Sequence, residues 1–259
     1  MASSASGAPP GVAEVRRAEA AIAAMRSNPQ MAAVQQNGCG ALRIIAHGDL
    51  VCKHAVVSSG GVEAIVTAMR THPKQAKVQE NGCGALQDIA FGDSACKKAV
   101  VDAQGVEAVV AAMLAHQSSG KVQENGCGAL CDIAFGDSLC KHAVVQALGV
   151  QAIVAAMRAH PSRTAVQEHG SGALCDIALG DANCKQAVVT AEGIEILVAA
   201  MATHRAQTTV QENGCGALQN IAVGDAGCKR AVVSANGVGA VVLAMRTHAA
   251  QVKVQQNGC

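Results

Sequence analysis

Aromatic side chains are almost missing from this sequence of 259 residues. Trp and Tyr are absent, and Phe occurs twice. Apolar residues nevertheless make up 50% of the chain. The core therefore has to be built from Ala, Val, Ile, Leu, Met and Cys, and such a core favours helices that approach one another closely. The sequence also offers no aromatic platform on which bases could stack, which argues against a nucleic acid partner.

An excess of charge of either sign is missing as well. The formal net charge is +1, which gives no net attraction to nucleic acid or to an anionic membrane surface. No continuous apolar run is long enough to span a bilayer, and the opening MASSASGAPPG lacks the basic and hydrophobic regions of a secretory signal. We therefore expect no membrane partner, a disordered segment over residues 1–16, and a cytoplasmic or nuclear location.

The sequence contains a regular internal repeat. The stretch VQENGCGAL occupies residues 78–86 and returns unchanged at 122–130 and 210–218. With related copies included, the step is 44 residues, and the copies open at Val34, Val78, Val122, Val166, Val210 and Val254. Units that repeat at such an interval bury their core between neighbours. We therefore predict one array over residues 17–259, with a partial first repeat, four full repeats from 49 to 224 and an incomplete last repeat from 225.

Each unit is predicted to form three helices, as residues 93–136 illustrate. Asp93 suits the N-cap of a short first helix that ends before Gly105. GVEAVVAAMLAH, residues 105–116, places apolar side chains at helical spacing and forms the second helix. KVQENGCGALCDIAFG, residues 121–136, forms the third. The period alone is also typical of WD40 blades, but the strand alternation and the Trp-Asp pairs of that fold are missing.

The order GD..CK.AVV..QGVEAVV.AM followed by VQENGCGAL.DIA resembles the armadillo repeat, with its short first helix, its Gly before the second and its VQE..A.AL.NLA third helix. The resemblance covers residues 18–259. It implies an all-α fold, a right-handed α-solenoid of three-helix repeats whose third helices line a concave groove for extended peptides or other proteins. Importin-α-like members carry a groove Trp and, four residues later, an Asn, and the departures here argue against binding of nuclear localisation signals. The Trp position is occupied here by Gly40, Gly84, Gly128, Gly172 and Gly216. The Asn position is occupied by Ile44, Asp88, Asp132, Asp176 and Asn220.

A helical wheel divides the third helix into two sides. Gly82 lies in the middle of the apolar side, where its missing side chain is expected to let a neighbouring helix come close. Gly84 lies in the middle of the opposite, polar side and is expected to face outward. Two explanations of Gly84 stay open: a ligand backbone lies against it, or the repeat was inherited without a function at this position. The polar side is Lys77, Glu80, Asn81, Gly84, Gln87, Asp88 and Phe91.

Other ladders have structural interpretations. The His residues that end the second helices are expected to act as caps, and the Lys residues of the first helices to form a solvated outer face. The cysteines follow the repeat as small buried residues, and their intervals match no zinc pattern, so we expect no metal and no cofactor. A GxxxxGK[ST] loop and a distinct nucleophile and base are missing, so we expect no enzymatic activity. The ladders are His72, His116, His160, His204 and His248, and Lys53, Lys97, Lys141, Lys185 and Lys229.

The sequence thus predicts a non-enzymatic scaffold for a protein or peptide partner, an extended basic or amide-rich segment held in the groove. The Glu residues of the polar side, which we call the Glu row (Glu80, Glu124, Glu168 and Glu212), have a competing explanation, because acids near a helix start compensate the helix dipole. The Asp residues, which we call the Asp row (Asp88, Asp132 and Asp176), have a solvated stripe as their competing explanation. The alternative function is a regulatory or docking part of a larger protein with an enzymatic domain elsewhere, and we expect the uncapped C-terminal end to permit self-association. The candidate groove residues are Glu80, Asn81, Gly84, Asp88, Glu124, Asn125, Gly128, Asp132, Glu168, Asp176, Glu212, Asn213 and Asn220.

Overall fold

A computed structural model describes residues 12–259, which fold into helices joined by short turns without any β-strand. No single helix in this range is long and apolar enough to cross a membrane, although four bent pairs of consecutive helices pass that test jointly on length and composition. The helices are α1 (Val12–Ser27), α2 (Ala32–Ala46), α3 (Leu50–Ser58), α4 (Gly61–Thr71), α5 (Ala76–Ala90), α6 (Ser94–Asp102), α7 (Gly105–Ala115), α8 (Gly120–Ala134), α9 (Ser138–Gln146), α10 (Gly149–Ala159), α11 (Thr164–Ala178), α12 (Ala182–Thr190), α13 (Gly193–Thr203), α14 (Thr208–Ala222), α15 (Ala226–Ser234), α16 (Gly237–Thr247) and α17 (Val252–Gly258).

From α3 onward the helices form successive groups of three. In the group α6, α7 and α8 the lengths are 9, 11 and 15 residues, whereas the last third helix, α17, has 7 residues. Helix α1 begins at Val12, so residues 12–16 are helical, although the sequence prediction placed them in a disordered segment. The reason is that Ala18, Ile22 and Met25 pack α1 onto the core. Residues 1–11 lie outside the described part of the chain.

An Asp caps each first helix, as predicted. The Asp93 carboxylate accepts a hydrogen bond from the Cys96 backbone N–H at 2.7 Å, which satisfies one free donor of the first helical turn. The turn to the second helix then uses the left-handed backbone region at Gln104 (φ 59°), and Gly105 is the first residue of α7. The cap recurs at Asp49, Asp137, Asp181 and Asp225.

The core runs without interruption through the array and is built from aliphatic and sulfur-containing side chains, such as Leu86, Ile89 and Met113. Gly82 makes close packing possible within a unit. A Cβ at Gly82 would lie 2.6 Å from Cγ and Sδ of Met69 in the second helix, so the expected role of this glycine is confirmed. The same pairing recurs between Gly126 and Met113, Gly170 and Met157, and Gly214 and Met201.

Adjacent units touch mainly through their third helices. Helices α2, α5, α8, α11, α14 and α17 lie side by side and contact one another extensively, whereas second helices of neighbouring units touch over much less of their surface. An array in which one layer is more closely spaced than the other curves toward the closer layer. The third helices therefore occupy the inner, concave side of the solenoid.

Candidate partner-binding face of the third helices

We call the surface formed by α2, α5, α8, α11, α14 and α17 the inner face. Asn residues at one repeated position of this face, which we call the Asn row (Asn81, Asn125, Asn213 and Asn257), form hydrogen bonds between neighbouring units. Asn125 Nδ2 donates a hydrogen bond to the backbone oxygen of Glu80 in the preceding third helix, at 2.9 Å. The predicted groove residues Asn81, Asn125 and Asn213 thus have their amide nitrogens engaged within the fold. The equivalent bonds are Asn81 to Gln36, Asn213 to Glu168 and Asn257 to Glu212, and His169 Nδ1 contacts the Glu124 oxygen at this position of α11.

The second glycine of the repeated stretch does not face outward, so the prediction for Gly84 is wrong. Gly84 and Gly128 are buried. A Cβ at Gly84 would lie 2.5 Å from the Arg43 guanidinium carbon, and one at Gly128 would meet the Gln87 amide. Because neighbouring third helices pack so closely, a side chain of the preceding unit reaches across each glycine. The geometry therefore explains Gly84 by contact between units, without a ligand backbone.

The first member of the Asp row is paired within the chain. One Asp88 carboxylate oxygen lies 3.2 Å from Arg43 Nε, and the other lies 3.1 Å from His47 Nδ1. The Asp88 side chain is 16% exposed. Asp88 therefore bridges α5 to α2, and its charge is partly neutralised before any partner arrives.

The next two members of the Asp row are half-buried. Burial raises the pKa of the Asp132 carboxyl to about 6, and it does the same to the pKa of Asp176. Asp176 Oδ2 lies 3.7 Å from Cys131 Sγ in the preceding third helix. Asn220, at the same place in α14, donates to the Cys175 backbone oxygen at 3.1 Å. Burial therefore makes the charged form of these two carboxyls more costly than that of an exposed Asp.

The Glu row is partly exposed, and its first two members are paired. Glu80 lies 2.8 Å from Lys77, one turn earlier in the same helix. Glu124 lies 2.7 Å from Lys121 and 3.5 Å from Arg163 of the next unit. These pairs cancel much of the acidic charge over α5 and α8.

The last two members of the Glu row lack such partners. Over residues 12–259, no ion pair involves Glu168 or Glu212. The position occupied by Lys in α5 and α8 holds Ala165 in α11 and Thr209 in α14. The uncompensated carboxylates of the Glu row thus lie one unit apart in the C-terminal half of the inner face.

The Lys ladder differs from its prediction as a solvated face. Lys97 is 4% exposed, and its Nζ donates to the Phe135 backbone oxygen at 2.6 Å and lies 4.9 Å from the Phe135 ring centre. Lys53 makes the same contacts with Phe91. The cause is the free carbonyl at the end of α5 and of α8, which favours a cation. Lys141 is also buried, whereas Lys229 is exposed as predicted.

Sequence reasoning missed an apolar row that borders the inner face. The residue that follows each of four third helices is large, apolar and exposed: Phe91, Phe135, Leu179 and Val223, at 63%, 61%, 63% and 76%. The signal was present, because both Phe residues of the chain occupy the same place in consecutive units. Exposed rows of this kind are typical of interaction surfaces.

The His and Cys ladders lie away from the inner face. His72 is the C-cap of α4, as predicted, but its Nε2 lies 2.7 Å from the Pro29 backbone oxygen of the preceding turn. Cys83 is buried, and burial raises the pKa of its thiol to about 12, which agrees with an unreactive packing residue. Two groups of His, Asp and Cys outside the inner face bring metal-ligating atoms together: His54, Asp93 and Cys96, and His142, Asp181 and Cys184.

Comparison with known proteins agrees with this architecture. Residues 14–259 match a family model described as LRRK2 ARM repeat. No curated protein gives a significant match. The crystal structure of an engineered protein from the Northeast Structural Genomics Consortium is 30% identical, with a TM-score of 0.81, and the match covers 93% of each chain.

Two designed armadillo repeat proteins have the same fold. One is 20% identical with a TM-score of 0.81, covering 93% of this chain and 96% of that one. The other, in complex with the peptide (KR)4, is 20% identical with a TM-score of 0.78, covering 93% and 95%. The all-α solenoid of armadillo-type repeats is thus confirmed. Because the family model spans nearly all of the sequence, the chain belongs to the armadillo-repeat family described as LRRK2 ARM repeat.

Proposed function

We propose that this chain is a non-enzymatic scaffold that binds an extended, basic segment of a protein partner along the inner face. The observation that carries the proposal is the imbalance within the Glu row. Glu80 and Glu124 are paired with basic residues of the chain itself, whereas Glu168 and Glu212 have no such pair among the described residues. Carboxylates that lie one unit apart on a concave surface favour a ligand with repeated positive charges.

The apolar row supports the same class of ligand. Lys and Arg side chains carry long aliphatic stems, which bury apolar surface while the charged group stays in water. Phe91 and Phe135 expose their rings beside the inner face, and a guanidinium group stacks favourably on such a ring. A basic segment would therefore place its charges near the Glu row and its stems against the apolar row.

A structural relative supports the proposal independently. A designed armadillo repeat protein of the same fold has been solved in complex with the peptide (KR)4. Every residue of that peptide is basic, which suits the unpaired carboxylates of the Glu row. It is therefore a suitable first probe for this chain.

The test is fluorescence anisotropy with labelled (KR)4 and with a Gly-Ser peptide of equal length. The parent chain should bind (KR)4 saturably and bind it less tightly as salt is raised. Each exposed ion pair contributes up to about 1 kcal/mol, so the double variant Glu168→Gln, Glu212→Gln should bind roughly tenfold more weakly.

The matched control is the double variant Glu107→Gln, Glu195→Gln, which changes the net charge equally but at exposed positions of second helices. Its affinity for (KR)4 should stay within about twofold of the parent. Equal weakening by both double variants would show that only overall charge matters. That result, or no saturable binding by the parent, would contradict the proposal.

A further inference from the structure

Two clusters of different metal-ligating side chains lie between the first helices of neighbouring units. In one cluster, His54 of α3 faces Asp93 and Cys96 at the start of α6, and its Nε2 lies 3.4 Å from Asp93 Oδ1. In each cluster, one ligand atom from each of the three residues lies within 4.8 Å of the other two. The second cluster repeats the arrangement two units later and consists of His142, Asp181 and Cys184.

The donor atoms of each cluster are an imidazole nitrogen, a carboxylate oxygen and a sulfur. These are the ligands that Zn²⁺ takes in proteins, at about 2.0–2.3 Å, so tetrahedral coordination places ligand atoms roughly 3.3–3.8 Å apart. In the second cluster, His142 Nε2 already lies 3.0 Å from Asp181 Oδ2. In the first cluster the His54 side chain is 52% exposed and that of Asp93 21%, whereas in the second the His142 side chain is 37% exposed and that of Asp181 48%. A bound ion would draw the three donor atoms, which lie within 4.8 Å of one another, into this range.

The charges near the cluster have opposing effects on a divalent cation. Burial raises the pKa of the Cys96 thiol to about 12, and the positive end of the α6 dipole and the Lys53 ammonium oppose a cation at this place. A carboxylate and a thiolate together carry two negative charges, so that the ion, its two anionic ligands and a neutral imidazole sum to zero. The Lys53 ammonium itself is held by the Phe91 backbone oxygen at 2.6 Å.

Two other units of the array lack one ligand of the set. Asp137 and Cys140 recur with the same cap geometry, but the position of the His is Lys98 in the preceding first helix. Asp225 and Cys228 likewise follow Gln186. The cap Asp and the buried Cys are thus part of every unit, whereas His occurs only where it completes a ligand set. The chain therefore supplies its own comparison between complete and incomplete sets.

We propose that His54, Asp93 and Cys96 bind one Zn²⁺ ion and that His142, Asp181 and Cys184 bind a second. Each ion binds Cys as the thiolate, and the proton of the thiol passes to solvent. Water completes the fourth position on the exposed side. Each ion joins the first helices of two successive units, α3 to α6 and α9 to α12, and thereby stabilises the contact between those units. This proposal is independent of ligand binding on the inner face.

The test is a Co²⁺ titration of the reduced, tag-free chain, because Co²⁺ substitutes for Zn²⁺ and has visible and near-ultraviolet absorption. All proteins carry Cys259→Ser, which removes the exposed terminal thiol. A thiolate-to-cobalt charge-transfer band should rise to saturation at two equivalents and disappear when Zn²⁺ is added. His54→Lys and His142→Gln, which copy the residues of incomplete units, should each remove half of the band, and the double variant should remove all of it.

A variant that gains a metal site is also needed, because the loss of metal binding in the His variants could result from misfolding. Lys98→His completes the set with Asp137 and Cys140 and should raise the saturation point to three equivalents. Circular dichroism should show equal helix content for every variant. A parent that saturates at any value other than two equivalents would overturn the proposal. A band that persists in the double His variant, or a Lys98→His variant without a third equivalent, would also overturn it.

Discussion

The Asn125 amide nitrogen lies 2.9 Å from the Glu80 backbone oxygen, 45 residues earlier in the chain, and this bond ties α8 to α5. The stability of a solenoid is approximately a sum of terms within units and terms between neighbouring units. The hydrogen bonds of the Asn row contribute to the terms between neighbouring units. Since the acceptor lies within the first half of α5, the bond also fixes the axial register of the two third helices.

Asn125→Ala should therefore destabilise the array. Asn125 is 4% exposed, and the loss of a buried hydrogen bond costs on the order of 1–2 kcal/mol. Urea unfolding followed by circular dichroism measures the change. The control is Asn37→Ala, because Asn37 holds the same position in α2, where it is exposed and no third helix precedes it. Equal effects of the two substitutions would show that the bond between the helices contributes nothing.

The buried Lys row leads to a second prediction. Lys97→Met keeps the length of the side chain but removes the cation that binds the Phe135 backbone oxygen. The free carbonyl at the end of α8 then has no donor, and the free energy of unfolding should fall by about 1–3 kcal/mol. Lys229→Met, at the same place in an exposed position, should change it by less than about 0.5 kcal/mol. If the two Lys variants unfold at the same urea concentration, the capping role is wrong.

The two glycines of one helix should respond differently to Ala, although Ala favours a helix by about 1 kcal/mol at both positions. At Gly82 the new Cβ would meet Met69 Cγ and Sδ at 2.6 Å. Met69 is buried, so Gly82→Ala should destabilise by about 1–3 kcal/mol. At Gly84 the new Cβ meets the guanidinium of Arg43, whose flexible side chain can move aside. Gly84→Ala should therefore stay within about 1 kcal/mol of the parent in urea unfolding, and a loss as large as that at Gly82 would refute this account.

Ser171 marks an unsatisfied position in the core. Its hydroxyl is fully buried and has no hydrogen-bond partner within residues 12–259, and an unsatisfied buried polar group costs about 1–3 kcal/mol. Cys127 fills the equivalent position in α8 and is also fully buried. Ser171→Cys should therefore raise the urea midpoint, and Cys127→Ser should lower it by a similar amount. A Ser171→Cys variant no more stable than the parent would indicate that the hydroxyl is satisfied in solution.

The fold was predictable because each unit repeats its own signals. Asp93 marks the start of a first helix, and the apolar spacing of residues 105–116 marks the second. One helical wheel was also sufficient to assign Gly82 to the core. Such signals are local, and forty-four-residue spacing repeats them in register through the array.

The inner face was less predictable because it depends on the distance between units. A wheel shows which side of a third helix faces away from its own unit, but it does not show that the next third helix covers part of that side. Gly84 and Asn125 were consequently placed in an open groove, although neighbouring side chains cover Gly84 and Asn125 binds the preceding helix. His54 and Asp93 are 39 residues apart in sequence, and only the stacking of first helices brings them together.

Asp132 leads to a prediction about pH. Burial raises the pKa of its carboxyl from 3.8 to about 6, so the folded state binds more protons than the unfolded state between these values. The contribution of Asp132 to stability is therefore most favourable below about pH 4 and is lost as the pH rises through 6. With allowance for solvent screening, Asp132→Asn should increase the free energy of unfolding near pH 7 by on the order of 1 kcal/mol.

Near pH 3 the Asp132→Asn variant and the parent should unfold alike, because the carboxyl is then mostly protonated in both states of the parent. Urea unfolding at several pH values between about 3 and 8 measures this convergence. Asp102→Asn is the matched control, since Asp102 is exposed at the end of α6 and its replacement should leave the pH dependence of the parent unchanged. A gain in stability from Asp132→Asn that is the same at every pH would mean that packing or helix propensity, and not the cost of burying the charged carboxylate, is responsible.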